Sequence, residues 1–319
     1  MNYMISTVVP CYNESDNIDN CYRKISENLL KITENYEIIF IDDGSTDNTF
    51  SKLFSISNSD KRVKVIKLSR NFGHQNAIYA GLENVSGDCI FLIDADLQDP
   101  PELFSKMYEK WIDGFKVVYG VRSARKGNFF KIFIYSIYHK MFNLLSNLNQ
   151  KDDLADFCLM DKIIKDHLIK LKEKNIYFRG LRTWIGFSQI GVEYEREDRK
   201  IGSSKYNFSK LYNLALNGIV NFSTKPLSLI LLSGILIFIL STLLVFFYIV
   251  QKIYNFQFLG IFPDQAPGFY SIIIVVLFFG SFNLICLGLI GEYVGRLYEE
   301  VKSRPKFIVD KKINIDEKN

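Results

Sequence analysis

Asp94-Ala95-Asp96-Leu97-Gln98-Asp99-Pro100-Pro101-Glu102 sets two carboxylates and an amide behind a short apolar run, Cys89 to Ile93. Hard oxygen donors of this kind suit Mg²⁺ or Mn²⁺, which commonly take one or two carboxylates from a protein and further ligands from a substrate's phosphates. Acidic turns also close strands as plain solvated chain, so the surroundings must decide. Two other loops carry comparable residues: Val9-Pro10-Cys11-Tyr12-Asn13-Glu14 and Asp42-Asp43-Gly44-Ser45-Thr46-Asp47. Together they offer what a nucleotide needs: a ring for the base, carboxylates for ribose hydroxyls and a metal for a diphosphate. Neither G-x-G-x-x-G after the first strand nor G-x-x-x-x-G-K-[ST] anywhere occurs, which disfavours ordinary dinucleotide and NTPase sites.

These loops need elements that hold them. Short β-branched runs stopped by Pro, Asp or Gly predict strands over 5–9, 37–41, 63–68 and 89–93, with a fifth over 117–120. Helical spacing is expected over 17–33 with Asn13 or Ser15 as cap, from Thr46 or Asp47 to about residue 57, and over 75–85. The alternation predicts an α/β fold, a mostly parallel nucleotide-binding sheet with helices flanking both faces. Ligands of such sheets gather at the C-terminal rim, where all three loops fall.

The chain of 319 residues is long enough for a soluble core and something more. A net charge of +4 is too mild for a nucleic-acid binder. Cys11, Cys21, Cys89, Cys158 and Cys286 are odd in number and lack C-x-x-C spacing, which argues against a disulfide framework or a zinc site. The N-terminus lacks a basic region followed by an apolar stretch, so no cleaved signal peptide is expected. His74, His139 and His167 show no ligand spacing, and surface or core roles are expected for them.

Composition changes near Leu227. Residues 227–250 and 268–291 carry no charge, and each run of 24 residues spans roughly 36 Å as a helix, enough to cross a ~30 Å hydrocarbon core. Lys205, Lys210 and Lys225 precede the first run, and Arg296, Lys302, Arg304, Lys306, Lys311 and Lys312 follow the second. Such basic flanks place both ends in the cytoplasm. The expected organisation is a head over 1–206, an interfacial helix over 207–225, two membrane helices within 226–296 and a cytosolic tail over 297–319. A second membrane-proximal helix is expected near 129–148, rich in Phe, Tyr, Ile and Leu. Gly288, Gly291 and Gly295 would permit close helix contact in a homo-oligomer.

The three loops, with Arg70-Asn71-Phe72-Gly73, Asp156-Phe157, Arg179-Gly180-Leu181, Arg199-Lys200-Ile201-Gly202-Ser203-Ser204-Lys205-Tyr206 and Gly291-Glu292-Tyr293-Val294-Gly295-Arg296, resemble family 2 glycosyltransferases. The likeness is greatest to polyprenyl-phosphate glycosyltransferases, a group that includes bactoprenol glucosyltransferases and dolichol-phosphate mannose synthases. It extends over nearly the whole chain. It implies a GT-A-like head and inverting, metal-dependent transfer of one sugar, UDP-glucose for example, to undecaprenyl or another polyprenyl phosphate. It also implies an integral protein of the bacterial plasma membrane, with its catalytic domain and both termini cytoplasmic.

Carried over residue by residue, the resemblance gives Pro10, Tyr12, Glu14 and Asp42 to the base and ribose, with Asp43 in support. Asp94, Asp96 and Gln98 fall on the positions that hold Mg²⁺ or Mn²⁺ and, through it, the donor diphosphate. Arg199, Ser204, Lys205 and Arg122 fall on the acceptor-phosphate side; Arg70 and Arg125 read equally as surface charges. Asp156 matches an acceptor-side carboxylate. A phosphate nucleophile is already largely ionised near neutral pH, so Asp156 is expected to orient the acceptor or stabilise developing positive charge rather than act as a strong base. A processive polysaccharide synthase is disfavoured because Q-x-x-R-W is absent: Trp184 follows Arg182-Thr183 without the matching Gln. A non-catalytic membrane scaffold is disfavoured by the intact Asp94, Asp96, Asp156 and Lys205.

Overall fold

The computed structural model describes residues 3–122, 154–171, 173, 176–194, 225–254 and 268–315. Two compact units form, one of Met1–Gly218 with Arg304–Asn319 and the other of Ile219–Ser303.

The first unit is built on one eight-stranded sheet. Its strands are β1 (Ile5–Cys11), β2 (Tyr36–Asp42), β3 (Val63–Leu68), β4 (Cys89–Leu92), β5 (Val117–Arg122), β6 (Leu154–Asp161), β7 (Gln189–Tyr194) and β8 (Val309–Ile313). The helices of this unit are α1 (Ile18–Leu30), α2 (Thr49–Ser59), α3 (His74–Asn84), α4 (Phe104–Ile112), α5 (Lys162–Leu168) and α6 (Phe178–Ile185). The five expected strands and three expected helices all form, with ends displaced by a few residues. Asn17 and Asn48 occupy the cap positions of α1 and α2 in place of the expected residues, neither with a side-chain cap bond. Asp47 nevertheless accepts from Thr49 N at 3.0 Å.

Strand order is β7-β5-β6-β4-β1-β2-β3-β8. β1 pairs in parallel with β2 and β4, β2 with β3, and β5 with β7. β1 and β2 are rich in Val and Ile and are buried at every position, as parallel strands covered by helices must be. Ile5, Val9, Ile38, Phe40, Val65 and Phe91 pack with Ile18, Ile25 and Leu29 of α1 and Phe104 and Met107 of α4. α3 covers the opposite face, where a Cβ on Gly81 would come within 2.5 Å of Val8 Cγ1. Glycine there lets the helix that leads into the site lie against β1.

Three pairings depart from a purely parallel sheet. β6 runs antiparallel to both β4 and β5, and β8 runs antiparallel to β3 at the edge. The segment expected to be a tail thus supplies a strand. Ser69 N donates to Ile308 O at 2.9 Å, and Asn314 Nδ2 donates to Ser57 O at 2.7 Å and Val63 O at 2.9 Å.

The second unit contains α7 (Lys225–Tyr254) and α8 (Gly268–Val301), which include the two uncharged runs. Among the described residues one helical segment, Phe278–Val301, is long and apolar enough to cross a membrane by length and composition; Leu227–Ile237 is a shorter apolar stretch. The expected helices near 129–148 and over 207–225 lie outside the described residues.

Candidate active site

The reversal of strand order lies between β1 and β4, where β2 follows on one side of β1 and β4 stands on the other. Open α/β sheets bind ligands in the crevice at such a point. The loop 12–14 leaves β1 there, and the Asp94 run leaves β4. β6 enters from the opposite direction, with Leu92 facing Cys158 and Phe91 facing Leu159. Continued by two residues, this register sets residue 94 beside residue 156. Antiparallel pairing therefore delivers Asp156, near the start of its strand, to the same rim as Asp94, just beyond the end of its own.

The loops after β1 and β2 are stitched together. Asn13 N donates to Ser45 Oγ at 3.0 Å, Asn13 Oδ1 accepts from Thr46 N at 2.9 Å, and Ser15 N donates to Asp47 Oδ2 at 3.2 Å. Pro10 lies within β1 opposite Ile41, and the Tyr12 ring is exposed beside it. Glu14 Oε2 accepts from Asn17 Nδ2 at 2.6 Å. Asp42 is fully buried; Oδ1 accepts from Ser45 N at 3.0 Å, while Oδ2 has no hydrogen-bond partner. Burial raises its pKa, against the opposing pull of Ser45 and Lys67.

Asp43 spends its carboxylate on a third loop. Its oxygens accept from Phe72 N at 2.7 Å and Gly73 N at 2.9 Å. The two chains run so close that a Cβ on Gly44, whose φ is +68°, would lie 2.4 Å from Arg70 C. No side chain fits between these backbones. Arg70 itself is exposed and sits 4.5 Å over the Phe72 ring.

Gly73, with φ of +95°, turns the chain into α3, and His74 is the helix's first residue. His74 Nε2 stands 3.6 Å from Asp94 Oδ1 and 4.0 Å from Asp156 Oδ2. It is exposed, as expected of a surface position, and it stands between the Asp94 and Asp156 carboxylates, a placement the sequence did not show. Asn or Gly before a helix start is no signal for this; the carboxylates approach only through the sheet. Arg179 is the second residue whose role the sequence did not disclose. It donates from Nε to Asp156 Oδ1 and from one terminal nitrogen to Oδ2, both at 2.9 Å.

These neighbours push the two carboxyls apart. Asp94 is raised to about 6, by desolvation first and then by Asp99, Asp156 and Asp96, with His74 acting against them. Asp156 feels desolvation as well, but the charge and hydrogen bonds of Arg179, then His74 and Arg182, hold it well below the usual carboxylate range. Asp96 Oδ1 accepts from Gln98 N at 3.2 Å, and Leu97 between them adopts a φ of +55°. Asp99 is buried and accepts from the Tyr194 hydroxyl, tying the loop to the end of β7. Among the described residues no three His, Cys, Asp or Glu side chains form a metal cluster by themselves.

Arg122 ends β5, with its side chain outside the described residues. Arg125, Arg199, Ser204 and Lys205 also lie outside them.

An α/β sheet with acidic loops converging at its topological switch point is the architecture of a ligand-using enzyme domain. Residues 6–170 match the family model described as Glycosyl transferase family 2, and the chain belongs to that family. It is 43% identical over 314 residues to a glycosyltransferase of Bacillus subtilis, YkcC, covering 98% of this chain and 95% of the relative. It is 37% identical to the SfII prophage-derived bactoprenol glucosyl transferase of Shigella flexneri, over 96% of this chain and 97% of that one. A mannosyltransferase structure from Pyrobaculum calidifontis, in complex with GDP-Man and Mn²⁺, is 16% identical, covers 60% of this chain and 55% of its own, and gives a TM-score of 0.42.

Proposed function

We propose that this chain transfers a single sugar from a nucleotide-diphosphate sugar, with UDP-glucose the first donor to test, to a polyprenyl phosphate at the cytosolic face of a membrane. The observation that carries the reading is the meeting of Asp94 and Asp156 at one rim through the antiparallel β4–β6 pair. Full-length similarity to a protein named bactoprenol glucosyl transferase supports the acceptor class and the sugar.

The donor set fits a hard divalent cation. Asp94 and Asp96 supply two carboxylates and Gln98 an amide. Two carboxylates without a third acidic ligand are what Mg²⁺ or Mn²⁺ needs when a diphosphate completes its shell. Burial first, and then the charges of Asp99, Asp156 and Asp96, raise the Asp94 carboxyl against the pull of His74. When bound, the metal neutralises charge that develops on the departing nucleoside diphosphate.

In this reading the Tyr12 ring stacks on the base, and Pro10, Glu14 and Asp42 shape the nucleoside pocket. Arg122, Arg199, Ser204 and Lys205 hold the acceptor phosphate, Arg being suited to paired contacts with its oxygens. A phosphate oxygen attacks the anomeric carbon as the bond to the donor diphosphate breaks, so configuration inverts and the nucleoside diphosphate leaves. Asp156 contributes fixed negative charge near the carbon that becomes electron-poor.

Chain connectivity supports a membrane hairpin. The chain leaves the sheet after β7 and returns to it as β8, seven residues beyond α8. A sheet lies wholly on one side of a bilayer, because an open sheet edge cannot sit in lipid. Crossing by α8 alone would put β8 on the far side from the rest of its sheet, which favours crossing by α7 and α8 together. The basic residues before α7 and after α8 support a cytoplasmic side for the sheet.

The test uses membranes containing the full chain, undecaprenyl phosphate and a panel of labelled sugar nucleotides. A lipid-linked monosaccharide from one donor is expected, with chelator and Asp96→Asn each lowering the rate at least ~100-fold. No product from any donor refutes the reaction, and full activity with chelator and with Asp96→Asn refutes the metal assignment.

A further inference from the structure

Asp156 is gripped by a residue that the reaction above leaves without a role. Arg179 occupies the first turn of α6 and binds both oxygens of Asp156, each at 2.9 Å. A planar guanidinium making two parallel bonds fixes the carboxylate's rotation as well as its charge.

α6 is itself anchored on two sides. Phe178 N donates to Gln75 Oε1 at 3.0 Å, one residue beyond His74 on α3. Arg182 is fully buried, donates from NH1 to Ala155 O at 3.3 Å and lies 5.1 Å from the Tyr119 ring centroid. The helix that presents Arg179 is thus stitched to the strand residue before Asp156 and to the helix that presents His74. The charged and titratable groups facing Asp156 are Arg179 and Arg182 from α6, His74 from α3, Asp94 beyond β4, and Cys158 on its own strand.

We propose that Arg179 is a positioning residue for sugar transfer, fixing the rotation of the Asp156 carboxylate through two parallel bonds at the rim where His74 and Asp94 lie. This rests on the transfer reaction proposed above. The acceptor phosphate already carries the negative charge needed for attack, so no proton has to be removed. The chemistry gains instead from a charge of fixed place and direction at the reacting carbon. A Lys at residue 179 would supply charge at one point but could not hold both oxygens in one plane.

The experiment measures kcat and KM of the full chain at one pH, at saturating metal and acceptor, for the unsubstituted enzyme, Arg179→Met, Arg179→Lys, Asp156→Asn and Asp156→Asn/Arg179→Met. Arg179→Met is expected to lower kcat ~100-fold with donor KM within ~3-fold. Arg179→Lys recovers part of that loss but leaves kcat ~10-fold low. Because Arg179 acts through Asp156, the double variant falls no more than ~3-fold below Asp156→Asn. Unsubstituted kcat in Arg179→Lys, a loss in Arg179→Met carried by donor KM, or multiplying losses in the double variant overturns the proposal.

Carbon-13 aspartate spectra of the full chain, with the Asp156 signal identified by its loss in Asp156→Asn, read the same carboxyl without turnover. A shift of that signal in Arg179→Met supports the contact, and an unchanged signal overturns it. An enzyme that makes no glycolipid while that signal responds to Arg179→Met therefore refutes the reaction and not the positioning role.

Discussion

Asp43 ties the loop after β2 to the segment before His74, and its removal has a consequence that can be sized. Its oxygens accept two backbone N–H groups, from Phe72 at 2.7 Å and Gly73 at 2.9 Å. A hydrogen bond to a charged group contributes about 1.5–3 kcal/mol, so the pair contributes about 3–6 kcal/mol before offsets. Two offsets apply. Burial raises the Asp43 pKa, so the fold already bears a desolvation cost that truncation relieves. Phe72 and Gly73 are also only half-buried, and water can reach them once the carboxylate is gone. The net loss for Asp43→Ala is about 2–3 kcal/mol, and it falls on the local opening of residues 70–74. At about 1.4 kcal/mol per decade, amide exchange across that segment should accelerate ~30–150-fold at constant pH. Asp43→Asn keeps one acceptor and turns an N–H towards the other amide, so about half the effect remains. Hydrogen-exchange mass spectrometry of the full chain, with segments 5–11 and 36–42 as internal references, makes the measurement. Unchanged exchange over 70–74 in Asp43→Ala, or equal acceleration throughout the sheet, would refute the reasoning.

The raised Asp94 carboxyl sets a pH dependence of definite sign. Its folded pKa of about 6 exceeds the ordinary 3.8, so between those values the folded state binds more protons and metal-free stability falls as pH rises. Mn²⁺ requires the deprotonated form, so its affinity should rise over the same window, and Asp94→Asn should flatten both trends. Thermal unfolding with and without Mn²⁺ from about pH 4.5 to 7 checks this. Ending the chain before Val309 removes β8, bares the edge of β3 and deletes the two Asn314 bonds. A lower midpoint of thermal unfolding and concentration-dependent association are expected, read by scattering during the melt.

Local chemistry determined much of this protein. Asp42 ends β2 and the Asp94 run follows β4, because Asp and Gly favour turns, while Pro10 stands one residue before the end of β1. The first five strands and three helices were legible for that reason, as were the uncharged runs that became α7 and α8. The charged segment Val309-Asp310-Lys311-Lys312-Ile313 carries no such signal. It is a strand only because the unpaired edge of β3 offers it hydrogen bonds.

The candidate site divides in the same way. The residue types that suit a nucleotide and a metal were visible as three acidic loops, and their order along the chain pointed to the family. What tertiary structure alone decided was which of them meet. Antiparallel β6 carries Asp156 back to the rim of Asp94, Asp43 accepts from the loop before His74, and Arg179 reaches Asp156 from a helix 23 residues further along the chain. Each contact joins residues far apart in sequence, and no local pattern encodes the strand direction or register that brings them together.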